Sequence, residues 1–168
     1  MKKIISLNKT VFVLGLVSFF TDLSSEMIYP ILPLFLANVI GASTMFIGLI
    51  EGIAESTASF LKVFSGWLSD KSGKRKQLML AGYGLSSFVK PLLAVATSGW
   101  HVLSVRFVDR IGKGIRGAPR DAMIADVTEP DKRGRAFGFH SAMDTAGAVV
   151  GPAATFLILM LFGNNYRL

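Results

Sequence analysis

At 168 residues, with 51% of positions hydrophobic, 17% charged and a mean hydropathy of +0.51, the chain is too apolar for an ordinary soluble domain, in which about 25% of residues are charged. The absence of cysteine excludes disulfides and thiolate metal sites. A net charge of +7 raises nucleic acid as a partner, since a basic patch is its footprint, but the basic residues here fall in short groups between apolar blocks.

Five such blocks follow one another, at about 11–40, 45–68, 77–98, 102–126 and 136–162. Each reaches the roughly 20 residues that a helix needs to cross a hydrocarbon core of about 30 Å. The fold class expected is therefore all-α, a polytopic membrane helix bundle occupying 1–168, with the lipid bilayer as its solvent. Met1–Phe20 has the basic start and apolar run of a signal peptide. No small-residue cleavage site follows, and the apolar pattern resumes through Ile28–Ile40, so the first block is read as an uncleaved helix. Pro30 and Pro33 are expected to kink it. Asp22 and Glu26 lie four apart near its middle and share a face.

Gly41-Ala42-Ser43-Thr44 reads as a turn with a serine or threonine N-cap for the second block. That block carries Glu51 and Glu55, again four apart, and Lys62 near its end, where a lysine can snorkel. The third contains Lys90 beside Pro91. Ser98-Gly99-Trp100 turns the chain, with Trp100 suited to a membrane interface. The fourth block carries Arg106, Asp109, Arg110, Lys113, Arg116, Arg120, Asp121 and Asp126. At about 100° per residue, Arg106, Arg110, Lys113 and Arg120 fall within an arc of about 80°. Thr128-Glu129-Pro130-Asp131 is expected to stop that helix. The fifth block carries His140, Asp144, and the small residues Gly147, Gly151 and Ala154, with Gly151-Pro152 placed where a gating helix would bend.

Basic residues group at Lys2, Lys3 and Lys9, at Lys71, Lys74, Arg75 and Lys76, and at Lys132, Arg133 and Arg135. The connections around Asn38–Thr44 and Thr97–Trp100 contain none. This alternation is the positive-inside pattern. It puts the N-terminus and two basic loops in the cytoplasm, the C-terminus outside, and argues against nucleic acid as a partner.

A charge at the bilayer centre costs at least ~2.5–3.5 kcal/mol, so it faces a polar interior and signals function. The blocks hold eight acids (22, 26, 51, 55, 109, 121, 126 and 144) and seven bases (62, 90, 106, 110, 113, 116 and 120). Near-balance favours paired networks. For any single residue a purely structural ion pair remains open; for the set, networks that can be protonated and re-paired fit alternating access with proton coupling. A voltage sensor repeats arginine every third position without interspersed acids and glycines, which this helix does not. His101 and His140 are far apart in sequence, and no nucleophile, base and orienting group occur together. The chain is thus not read as an enzyme, and His140 is read as a solvated or capping residue. No phosphate-binding loop, cofactor motif or metal cluster is present.

Between the second and third blocks the sequence runs Gly66-Trp67-Leu68-Ser69-Asp70-Lys71-Ser72-Gly73-Lys74-Arg75-Lys76-Gln77-Leu78. This resembles the loop motif of the major facilitator superfamily, a glycine, leucine, aspartate, basic, glycine, basic, basic series ending in leucine. Serine replaces the usual alanine at 69, and lysine replaces arginine at 71 and 74. The fourth block resembles the family's second motif at Arg110, Gly114, Gly117 and Ala118, with Lys113 at the usual glutamine position. Gly147-Ala148-Val149-Val150-Gly151-Pro152 resembles the first half of the motif associated with antiporters, although Thr155-Phe156 stands where a glycine pair should follow.

The resemblance implies twelve helices in two halves, each half made of inverted three-helix repeats. The chain would then hold the first five, an N-terminal half lacking its sixth helix, and the missing C-terminal helices of the same transporter would be its partners. It further implies a cytoplasmic loop gate at Gly66, Asp70, Gly73, Lys74, Arg75, Arg116 and Arg120. In that gate Asp70 pairs with a basic residue of the fourth helix and locks the outward-open state; Arg120 is the first candidate and Arg116 the second. Proton coupling and cavity residues would be Asp22, Glu26, Glu55, Arg106, Arg110, Lys113 and Asp144. Arg110 would tune a nearby carboxylate, Glu26 first and Asp22 and Glu55 next. A hinge would lie at Gly147, Gly151 and Pro152.

The expected function is secondary transport of a small molecule across the cytoplasmic (inner) membrane, with protons as coupling ion and efflux as direction. The basic stripe keeps uptake or exchange of an organic anion open. A non-transporting five-helix membrane protein is the remaining alternative.

Overall fold

The structure, a computed structural model, describes residues 8–162. Lys2 and Lys3, and the end of the chain at 164–168, on which part of the topology expectation rests, lie outside the described residues.

Six α-helices and two short 3-10 segments make up the fold. They are α1 (Lys9–Ile28), α2 (Ile31–Asn38), α3 (Thr44–Ser72), α4 (Arg75–Val89), α5 (Gly99–Asp126) and α6 (Arg133–Phe162). The 3-10 segments are Lys90–Val95, which prolongs α4, and Pro130–Lys132, which leads into α6. No strand occurs among the described residues. The first apolar block is broken rather than kinked: α1 stops at Ile28 and α2 starts after Tyr29-Pro30, because proline supplies no donor to the helix ladder and clashes with the turn before it. Pro91 does the same to the third block, whose α-helix ends at Val89.

Elsewhere the helices outrun the apolar blocks. α3 continues to Ser72, α5 begins at Gly99, and α6 begins at Arg133. Apolarity marks where chain is out of water, whereas helix ends are set by caps. Ser43 caps α3 by accepting from the Phe46 N–H (3.3 Å), and Ser98 caps α5 by accepting from the His101 N–H (3.3 Å). Gly73 ends α3 at φ 65°, its N–H bonded to the Ser69 carbonyl at 2.9 Å. That left-handed cap is where the loop motif needs a glycine.

By length and composition, Lys9–Asn38, Arg75–Val95 and Pro130–Leu161 can each cross a membrane. α3 and α5, at 29 and 28 residues, are long enough, but their charges take them out of that class. Several of these charges pair with groups on other helices.

Two assemblies carry the packing. α1 lies along α6, and α5 lies between α3 and α4. Contacts along the α1–α6 seam rise together in number, with Gly15 against Phe139, Gly147 against Phe19 and Gly151 against Glu26, so these helices run parallel. The α3–α5 seam is parallel too, Gly114 lying against Ala58 and Gly66 against Ala118. α4 and α5 are antiparallel and nearly touch: a Cβ added to Gly82 would sit 2.6 Å from the Gly112 carbonyl. Small residues let backbones approach this closely where lipid provides no hydrophobic drive for helices to associate.

Apolar clusters join the two assemblies at both ends. One gathers Leu32, Phe35, Leu36, Ile50, Ala96 and Val102 at the α2–α3 turn. The other gathers Val11, Leu14, Met79, Ile124 and Ala136 near the α5–α6 connection, where Asn8 also donates to the Val127 carbonyl at 3.0 Å.

Candidate functional site

Between these apolar ends the middle of the bundle is polar, and α5 supplies most of it. Gly112 and Gly114 sit against α4 and α3, which draws the helix inward and buries Arg106, Asp109, Arg110 and Arg116 to 7% exposure or less. A buried guanidinium keeps its proton, so each arginine needs an anion or hydroxyl near it.

The partners come from different helices. Arg106 binds Glu51 of α3 in fork geometry, with Nη2 at 3.0 and 2.8 Å from the two carboxylate oxygens and Nε at 3.2 Å from Oε1. One turn along, Arg110 Nε lies 3.4 Å from Oε2 of Glu55, without hydrogen-bond geometry. Further on, α5 turns its cations to the other assembly. Arg116 donates to the Ser86 hydroxyl of α4 (3.0 Å), lies over the Tyr83 ring at 4.7 Å, and pairs with Asp22 of α1 at 3.8 Å. Arg120 donates to Ser18 of α1 (3.1 Å), binds Asp121 (3.0 Å) and reaches Asp144 of α6 at 3.6 Å. Lys90 adds a bond to Ser25 of α1 (2.8 Å) and one to the Thr21 carbonyl (3.3 Å). The basic stripe is therefore continuous on α5 but divided in its partners.

Other expected residues are placed differently. Glu26 is half-buried on the α1–α6 seam and has no ion pair or side-chain hydrogen bond among the described residues. Lys113 is exposed and has no ion-pair partner among them. Asp70 does not meet Arg120 or Arg116. Its partner is Arg75, at 3.5 Å, while both α5 arginines are taken by groups deeper in the bundle. Arg75 also binds Asp126 and donates to the Ala122 carbonyl at 2.9 Å, tying the α3–α4 loop to the end of α5. Lys74 is exposed; its backbone N–H donates to the Ser72 hydroxyl (3.3 Å) and its carbonyl accepts from the Leu78 N–H (3.2 Å). α6 runs unbroken through Pro152. Gly147 is filled by the α1 backbone: a Cβ there would lie 2.7 Å from the Phe19 carbonyl. Gly151 is equally tight, at 3.0 Å from the Leu23 carbonyl. Thr155, at the position of a missing motif glycine, donates to the Met27 carbonyl at 2.7 Å, beside the break between α1 and α2.

An apolar cavity of about 630 Å³ opens between α1, α2, α6 and the 3-10 segment that prolongs α4, with Phe20, Met27, Phe35, Leu159 and Lys90 among its lining residues. Among the described residues, Lys90 is the only charged one lining it.

A charged helix packed by glycines and paired to its neighbours thus lies inside an apolar bundle, and comparison with known proteins gives the family. The family model described as Major Facilitator Superfamily matches residues 14–168. The chain belongs to the major facilitator superfamily. Facilitator-family relatives include an uncharacterized MFS-type transporter of Methanocaldococcus jannaschii, 42% identical over 96% of this chain and 40% of its own length. An uncharacterized protein of Mycobacterium tuberculosis is 32% identical over 92% of this chain and 37% of its own length. The multidrug resistance protein MdtH of Photorhabdus laumondii is 26% identical over 74% of this chain and 31% of its own length. The chain thus spans about two fifths or less of the relatives it matches. Membership makes it a multi-pass membrane protein of a transporter family.

Ser18, Ser86, Tyr83 and Asp121 meet the α5 arginines without being expected from the sequence as their partners, and Glu51 and His140 also lie against charged groups. The Glu51 pairing had a signal: Glu51 and Glu55 repeat at the same four-residue spacing as Arg106 and Arg110, which suits two parallel helices. The hydroxyls had none.

Proposed function

We propose that the chain is the N-terminal part of a secondary transporter that extrudes a small molecule across the cytoplasmic (inner) membrane by alternating access, driven by protons. One observation carries this reading. The α1–α6 assembly meets the α3–α4–α5 assembly in the middle of the bundle through Asp22–Arg116 and Arg120–Asp144, pairs in which a carboxylate can be neutralised. Protonating such a carboxylate releases its arginine to another partner and so changes how the assemblies are held together. Glu26 forms no ion pair among the described residues, so neutralising it would break none of these ties.

The basic groups at Lys71–Lys76 and at Lys132–Arg135 support a cytoplasmic N-terminus. Asp70, Arg75 and Asp126 would then form the cytoplasmic latch. In a chain of the relatives' length, further helices of the same transporter would cover the groove lined by Lys90. Likeness to the multidrug resistance protein MdtH supports export over uptake.

The test is extrusion of a drug panel including ethidium, from cells expressing the gene, with and without a protonophore. Extrusion that collapses with the proton gradient, and is lost in Glu26→Gln and Arg110→Gln proteins that still insert, is the expected result. Unchanged extrusion in both variants overturns the coupling assignment.

Lys113, exposed and without an ion-pair partner among the described residues, favours one second reading, exchange of an organic anion. Transport that follows substrate charge and ignores the protonophore would establish it.

A further inference from the structure

His140 lies seven residues into α6 and is read from sequence as a solvated or capping residue, yet its side chain is 4% exposed. Its Nδ1 lies 3.5 Å from Oδ2 of Asp144, the residue one turn further along α6. The same carboxylate oxygen lies 3.6 Å from Arg120 Nη1. Two polar atoms of this pair are buried without a hydrogen-bond partner among the described residues, His140 Nε2 and Asp144 Oδ1. Buried polar atoms are nearly always satisfied, so two orphans in adjacent side chains of one charged cluster mark a place where a proton or a new partner is accommodated.

The geometry points to a proton-binding couple formed by His140 and Asp144, whose occupancy competes with Arg120 for the Asp144 carboxylate. With His140 neutral, Asp144 serves Arg120 and holds α6 to α5. When hydronium gives its proton to the imidazole, one O–H bond breaks, one N–H bond forms and water is left, and the imidazolium and Asp144 become the local ion pair. Arg120 then keeps Asp121 and the Ser18 hydroxyl, already at 3.0 and 3.1 Å. The tie between α5 and α6 weakens without leaving a guanidinium unpaired.

The surroundings are defined on every side. From α5 come Arg120 and Asp121; from α1, Asp22 and the Ser18 hydroxyl; from α3, Lys62, 3.9 Å from Asp121; from α4, Tyr83, whose phenol oxygen is itself buried without a partner. Histidine is suited to the task because its charge changes between about pH 5 and 8. This inference rests on the proton-coupled reading, and it places one proton away from Glu26, on α6.

The experiment is a histidine-selective ¹³C NMR titration of the protein expressed from its own gene and held in lipid nanodiscs, between pH 5 and 8. The resonance absent from His140→Gln, or from His140→Asn should the first fail to insert, is assigned to His140. A His140 resonance that titrates in this range, and whose midpoint moves by about one pH unit in Asp144→Asn, supports the couple. A resonance that stays in one protonation state throughout, or a midpoint indifferent to Asp144, overturns it. A parallel readout is the pH profile of extrusion: His140→Gln is expected to flatten it, and an unchanged profile refutes the competition with Arg120. Wild-type extrusion that ignores the proton gradient would instead defeat the coupled reading, and the titration would still decide the couple.

Discussion

Arg106 and Glu51 are joined by three hydrogen bonds of 2.8 to 3.2 Å, with the arginine side chain 4% exposed and the glutamate 29%. Glu55 follows Glu51 by one turn and Arg110 follows Arg106 by one turn, so the two parallel helices share two consecutive charged rungs. The rungs are unequal. The first is a bidentate fork, the stronger form of such a pair, whereas Glu55 is 63% exposed and lies 3.4 Å from its arginine.

The first rung should therefore be structural. Glu51→Ala leaves a buried guanidinium without its anion and is expected to destabilise the protein by about 3–5 kcal/mol. Replacing both partners, Glu51→Leu with Arg106→Leu, should restore most of that loss, because neither charge then needs compensation. Thermal unfolding in detergent, followed by tryptophan fluorescence, checks the cycle. A double variant as unstable as the single one would contradict it.

The α4–α5 contact gives an internally controlled prediction on one helix. A methyl on Gly82 would collide with the Gly112 carbonyl at 2.6 Å and the Arg116 backbone nitrogen at 2.9 Å, whereas one on Gly84 meets nothing within 4 Å. Gly82→Ala should cost about 1–3 kcal/mol through overpacking. Gly84→Ala, two residues away, should stabilise the chain by about 0.5–1 kcal/mol through the helix preference of alanine. The same unfolding assay reads both.

How far the fold was legible follows from what each signal measures. Apolar blocks and alternating basic groups report the solvent around a segment, so they indicated an all-α membrane bundle and the order of its helices. They did not report helix ends, which depend on Ser43, Ser98, Gly73 and the donor missing at Pro30 and Pro91. The charged residues were legible as a set because intramembrane charges are expensive. Their pairing was not, because it depends on which helix lies opposite. Asp70 was expected on Arg120, yet Ser18, Asp121 and Asp144 surround that arginine, and a residue five along from Asp70 takes the loop aspartate instead. His140 illustrates the same limit: its position near a basic loop suggests water, while the packing of α1 against α6 buries it.

Thr155 stands where the antiporter motif has glycine, and its hydroxyl donates to the Met27 carbonyl at 2.7 Å while only 4% of the residue is exposed. Thr155→Val keeps the shape and removes the donor. It should cost about 1 kcal/mol, with α1–α6 packing unchanged. Amide exchange around the α1–α2 break provides the measurement; faster exchange restricted to residues 28–33 is expected.

At the loop, Asp70 is 71% exposed and its partner Arg75 24%. Asp70→Asn should change stability by less than about 1 kcal/mol, the range of exposed pairs. Arg75→Ala also loses Asp126 and the Ala122 carbonyl, and should cost roughly 1.5–3 kcal/mol. Equal effects of the two variants in thermal unfolding would show that Arg75 acts through Asp70 alone.

Glu26 separates function from stability most cleanly. It sits on α1 where Gly151 of α6 presses against it, a Cβ on that glycine falling 2.8 Å from the Glu26 Cβ. No described residue forms an ion pair with it, in contrast to Glu51. A carboxylate kept in an apolar span without a partner serves no folding purpose, since the same space would accept an amide at no loss of pairing. Glu26→Gln is accordingly expected to leave the unfolding temperature nearly unchanged, within about 0.5 kcal/mol. The same variant should reduce gradient-driven extrusion to the level seen with a protonophore. Wild-type extrusion rates in Glu26→Gln would transfer the coupling role to Asp22 or Asp144, where protonation must break a pair with Arg116 or Arg120. Those two alternatives differ in one measurable respect. Neutralising Asp22 or Asp144 should lower both stability and transport, whereas Glu26 is expected to affect transport alone.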